Sequence, residues 1–171
     1  GGENMLLLHN LDELGAVEDL SWPYNGIVLS QFIDSRNEDG LHHKARVIMV
    51  DGIPYPRHCI YSDQWAIHAG SRANLMQHDI GLCHLEEQFL ADLFDKGSKE
   101  HAPVFDEIYQ RIGLDVFGID FALVDGRIVI FEANPCMKFL DRHYRDDDRY
   151  HYLDGRVKNL KRAIKKMLMR S

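Results

Sequence analysis

Residues 114–135 read LDVFGIDFALVDGRIVIFEANP. Two apolar runs flank Asp125-Gly126, a dipeptide that favours the backbone of a tight hairpin turn, so the stretch predicts two antiparallel strands. Into these runs are set Asp120, Glu132 and Asn134. Strand side chains alternate faces, so Glu132 and Asn134 project on the same side. A carboxylate in an apolar hairpin costs several kcal/mol unless it is paired or bound to a cation. Three oxygen donors on one face suit Mg²⁺, a hard ion that keeps some water and takes further oxygens from a phosphate. The alternative is a set of solvated strand-end acids. A two-residue loop would pair Asp120 with Phe131 and turn Glu132 to the opposite face. A three-residue loop, with Gly126 as its bulge residue, returns both acids to one face and is the loop expected here.

A second hairpin precedes the first. Lys44 to Val50 alternates charged and apolar residues, Asp51-Gly52 supplies the turn, and Ile53 to Ile60 returns. Pro54 and Pro56 cannot donate ladder hydrogen bonds, so the returning strand belongs at a sheet edge or at a bend. A two-residue turn sets Arg46 opposite Arg57, and opposed like charges destabilise a sheet by up to about 1 kcal/mol. An anion between them removes that cost, because guanidinium forks match phosphate and carboxylate. Helical periodicity runs through 82–96 and 103–112, with Gly97 and Gly113 as stops. Residues 156–170 form an amphipathic helix expected to pack on the domain with its basic residues solvated. Near the start, Asn4 to Leu8 reads as a strand, and Asp12 to Leu20 as a short helix capped by Asn10.

The net charge is −7, and the seven basic residues of 156–170 leave the remainder at −14. An acidic body argues against nucleic acid as the main partner. No apolar run approaches the roughly 20 residues of a membrane span, and no signal peptide is evident. Cys59, Cys83 and Cys136 are an odd set without paired spacing, which fits free thiols and a cytoplasmic setting. Ten histidines invite a zinc reading, but His78, Cys83, His84 and Glu86 lack a ligand spacing.

The segment GIDFALVDGRIVIFEANP resembles the magnesium-binding hairpin of ATP-grasp ligases, nearest to the glutathione synthetase and ribosomal-protein glutamate ligase branch. The resemblance implies an α+β fold: a largely antiparallel sheet with helices against one face, forming the ATP-grasp C-terminal lobe at 31–171. Residues 1–30 would be a remnant of the smaller nucleotide lobe. The implied ligands are ATP and Mg²⁺ (or Mn²⁺), the metal held by Asp120, Glu132 and Asn134. GIVLSQFID (26–34) is similar to the hinge strand that holds adenine through backbone groups at Gln31 and Ile33, with Phe32 packing nearby and Asp34 on the ribose. Gly1 and Gly2 resemble the tail of the phosphate-covering loop; they equally match the scar of tag removal.

By the same resemblance Arg46 touches the terminal phosphate or acyl-phosphate, Arg57 lies near substrate, and Arg72 and Asn74 of HAGSRAN (68–74) face the reactive centre. The usual Asp-x-Arg pattern is Lys44-Ala45-Arg46 here, a departure at position 44. The implied activity is an ATP-dependent ligase joining a carboxylate to an amine or thiol through an acyl-phosphate; the implied organisation leaves room for a homo-oligomer. The other reading is a non-catalytic module that binds nucleotide or a protein partner. The family's two small-lobe lysines have no counterpart here. Losing two charge-assisted contacts of roughly 1.5–3 kcal/mol each predicts weak ATP binding and no turnover by these residues alone.

Overall fold

Both Asp-Gly dipeptides form hairpin turns. In the computed structural model, which describes residues 5–18, 28–68, 70–96, 98–140 and 147–170, Asp51 and Gly52 have φ of 50° and 77°, and Asp125 and Gly126 have 49° and 72°. Each pair closes a two-residue turn, joining β1 (His42–Val50) to β2 (Ile53–Ser62) and β3 (Val116–Val124) to β4 (Arg127–Asn134). The four strands form one antiparallel sheet in the order β2-β1-β3-β4. Its class is α+β, as expected, and the Pro-bearing β2 is an edge strand.

One face carries Ala45, Val47 and Met49 of β1 beside Phe117, Ile119 and Phe121 of β3, all buried. Leu82, Leu90 and Phe105 cover it, from α3 (Ile80–Leu90) and α4 (Ser98–Ile112); α1 (Gly15–Glu18) and α2 (Ser71–Asn74) are single turns. α3 starts where Asp79 caps the Gly81 N–H at 2.8 Å and continues into a π-helical stretch, Ala91–Lys96. α4 ends at Gly113, whose φ of +67° is the left-handed stop its position predicts. α5 (Tyr152–Leu168) packs Leu160, Ile164 and Met167 on Ile48 and Val50, on the other face. Helices therefore lie on both faces, not on one. The amphipathic stripe of α5 needs apolar cover, and alternate residues at one end of β1 supply it.

The N-terminal expectations fare less well. Asn10 does cap a helical segment, through its side chain to the Asp12 N–H at 2.9 Å. Residues 5–8 and 28–34, however, adopt no regular structure, where strands were expected. A strand needs a ladder, and among the described residues neither segment has a partner strand. Gly1, Gly2 and residues 19–27 lie outside the described residues. No helix among those described is long and apolar enough to cross a membrane.

The β2 edge is sealed by side chains. Glu86 of α3 accepts the Cys59 N–H at 2.8 Å, and the Met76 sulfur takes the Tyr61 N–H at 3.4 Å. The Glu86 carboxylate is fully buried, held by both terminal nitrogens of Arg72 at 2.5 and 2.6 Å and by the Tyr152 hydroxyl. The Arg72 guanidinium also lies 4.9 Å from the Tyr150 ring centre. Removing one partner of a buried pair strands the other charge, which costs about 3–5 kcal/mol. Arg72→Met should therefore lower unfolding free energy by about that much in urea titration; a loss below about 1 kcal/mol would contradict this role.

Candidate functional site

A row of charged residues crosses the sheet on the face that α5 covers at one end only. Arg46 of β1, Asp120 of β3 and Glu132 of β4 are successive register partners, so their side chains share a face. Asp120 is 2% exposed. Arg46 grips it with a fork, Nε to Oδ1 at 2.6 Å and Nη2 to Oδ2 at 2.9 Å, and Lys44 Nζ stands 3.5 Å from Oδ2. Glu132 is exposed, and its Oε1 accepts from the Asn134 amide at 2.9 Å. The Asn134 side-chain oxygen Oδ1 in turn accepts the Cys136 N–H at 2.7 Å.

The expected three-residue loop is not what brings the acids together. The loop has two residues, Val124 pairing with Arg127, and the extra residue is Phe131: Phe121 pairs with Ile130, but Asp120 with Glu132. One inserted residue anywhere between the acids corrects the parity, and it sits in the strand as a β-bulge. Phe131 is 46% exposed there, so displacing it from the ladder uncovers no core.

A second bulge corrects the other charge pair. Arg46 faces His58, not Arg57, because the register slips between Arg46 and Val47 and Arg57 is the residue of the bulge. The like-charge opposition that the two-residue turn implied is thereby avoided. Arg57 is buried at 2% exposure and donates its Nε–H to the Phe139 carbonyl at 3.0 Å. Burial, reinforced by the charges of Arg72, Arg57, Arg46 and Lys44, holds His58 well below the usual imidazole value. It is a neutral ring among four cations.

The remaining expected residues disperse. Arg72 lies in the helical turn α2 and is committed to Glu86 inside the protein. Asn74 is exposed at the end of that turn and hydrogen-bonds none of the acid row. Phe32 and Asp34 do line a cleft of about 530 Å³, together with His42 and Trp65, whereas Gln31 and Ile33 do not. Phe32 meets the Trp65 and His42 rings edge-on, at centroid distances of 6.2 and 6.4 Å. Asp34 is held by the Arg36 guanidinium and backbone N–H, which bring its pKa down to about 2.

Sequence reading missed Lys44, Trp65 and Glu86 as structural partners of these sites. Lys44 was readable, two residues from Arg46 and so on its face; nothing local marked Trp65. The cleft and the acid row are connected, because His42, Lys44 and Arg46 are alternate residues of one strand. At about 3.3 Å per residue, His42 and Arg46 lie some 13 Å apart along β1.

The donor set for a metal is two carboxylates and an amide. Among the described residues no three His, Cys, Asp or Glu side chains converge as a metal site. Mg²⁺ needs no such cage, since one or two carboxylates with substrate phosphates commonly hold it. No family model, curated protein or solved structure matches the chain.

The His58 surroundings set a pH dependence. Its folded pKa lies below its unfolded value, so below about pH 6.5 the unfolded chain binds the proton first and stability falls as pH falls. His58→Gln should flatten the stability profile below pH 6.5 by up to about 1.4 kcal/mol per pH unit. An unchanged slope in that variant would contradict the buried neutral imidazole.

Proposed function

We propose that this chain is the phosphate- and metal-binding lobe of an ATP-grasp ligase, which activates a carboxylate as an acyl-phosphate for attack by an amine or thiol. The observation that carries this reading is the Arg46–Asp120–Glu132 row, flanked by a bulge at Arg57 and another at Phe131. β-Bulges re-aim side chains beside functional sites, and here two of them bracket one buried ion pair. Asp120 and Glu132, with Asn134 beside them, would hold Mg²⁺, which neutralises phosphate charge when bound. Arg46 and Lys44 stand where negative charge on a transferred phosphoryl group would be stabilised. An adenine ring would stack in the Phe32–Trp65–His42 cleft, with its phosphates running along β1 past Lys44 to Arg46. The roughly 13 Å between His42 and Arg46 suits an extended nucleoside triphosphate.

A non-catalytic variant of the same reading has one observation in its favour. Arg72 and Asn74, the residues expected on the substrate side, do not join the row. The nucleotide site is common to both readings and can be tested on its own.

Calorimetric titration of this chain with ATP should give weak binding, in the millimolar range, that requires Mg²⁺. Glu132→Gln should weaken it at least about tenfold, the loss expected for one charged contact, without lowering the melting temperature. Mg²⁺-independent binding, or wild-type affinity in the variant, would overturn the assignment.

A further inference from the structure

After β4 the chain doubles back over the sheet. From Asn134 on β4, residues 135–140 pass over Gly118 of β3 and then reach Arg46 of β1 and Arg57 of β2, crossing the strands in their spatial order. Three contacts define the crossing. The Lys138 carbonyl accepts from Arg46 Nη1 at 3.3 Å, and the Phe139 carbonyl accepts from Arg57 Nε at 3.0 Å. Met137, 8% exposed, sits against Gly118. Gly118 is the register partner of both Ile48 and Asn134, one pleat from Asp120 and on the same face. Phe139 anchors the far end among Ile48, Val50 and Leu160.

The seat at Gly118 exists only because glycine has no side chain. A Cβ there would stand 2.5 Å from the Met137 sulfur and 3.1 Å from its Cβ and Cγ. The methionine could not escape by turning its tip alone, since the atoms nearest its own backbone are crowded too. Gly118 has no positive φ and needs none of glycine's freedom of backbone. The close approach is its role.

We propose that residues 135–140 are a strap that positions the guanidiniums of Arg46 and Arg57, and that Met137 seated on Gly118 is its latch. A guanidinium grips an anion through a rigid planar fork, so its direction decides whether two parallel hydrogen bonds form. Asp120 fixes one edge of the Arg46 fork and the Lys138 carbonyl fixes a third nitrogen. The Phe139 carbonyl fixes Arg57, which a bulge has already turned out of the ladder. The strap is thus a positioning element of the proposed phosphate site, and its anion-binding consequence rests on that reading.

The test separates the two. Arginine Nε–Hε resonances of Arg46 and Arg57 are recorded in the ligand-free chain, and affinity is measured for inorganic pyrophosphate. In Gly118→Ala both resonances should shift and pyrophosphate affinity should fall about tenfold, as expected for losing one well-directed charged contact. Met137→Ala, which leaves β3 untouched, should do the same, and Met137→Leu should restore both readouts. Unmoved resonances in Gly118→Ala and Met137→Ala, or moved resonances with unchanged pyrophosphate affinity, would overturn the proposal. Failure of the nucleotide reading shows separately, as wild-type protein that binds no ATP while the resonances still respond to the latch.

Discussion

Asp120 is a charge buried between two strands, and most of what is unusual in this sheet follows from neutralising it. An unpaired carboxylate at that depth would cost several kcal/mol. Arg46 answers it with two hydrogen bonds and Lys44 with a second positive charge nearby. Because Arg46 and Asp120 are register partners, the same pair fixes how β1 meets β3. A slip of one residue would turn Arg46 to the face covered by α3 and α4 and strand Asp120, so the register is strongly specified. The bulges on either side then adapt β2 and β4 to a centre that cannot move.

The two sheet edges show contrasting solutions. At β2, the outward N–H groups of Cys59 and Tyr61 are taken by Glu86 and Met76, and burial of the Glu86 carboxylate calls in Arg72 and Tyr152. Side-chain capping of this kind keeps an edge from pairing with other chains. At β4, the bulge at Phe131 and the exposed Glu132 serve the same end by distorting and charging the edge. The β2 solution is purely structural, whereas the β4 one also presents an acid at the open face. Arg72 accordingly ends inside the protein on Glu86, and Arg46 on the acid row.

What the sequence made legible was local. Asp-Gly dipeptides between alternating runs announced both hairpins, Pro54 and Pro56 announced an edge strand, Gly113 a helix end, and the stripe of α5 its packed face. What stayed hidden depended on register. The parity argument required an extra residue between Asp120 and Glu132, but no feature of RIVIF distinguishes Phe131 from the turn as its place. Arg57 looked opposite Arg46 for the same reason. Arg72 read as a residue facing the reactive centre because its partner, Glu86, lies on another helix; long-range charge pairing leaves no local mark. Residues 26–34 read as a strand through their resemblance to the hinge, yet β structure is a property of a pair of segments, and among the described residues 28–34 have no partner strand.

The proposed nucleotide site requires that Asp120 and Glu132 receive a metal-bound phosphate. Paramagnetic Mn²⁺ in substoichiometric amounts, added with ATP, reports this directly through broadening of backbone amide resonances. The expected result is earliest broadening at Gly118, Asp120, Glu132 and Asn134, dependent on ATP and abolished by excess Mg²⁺. Broadening that instead begins at exposed acids of α4, such as Asp106 and Glu107, or that ignores ATP, would contradict it.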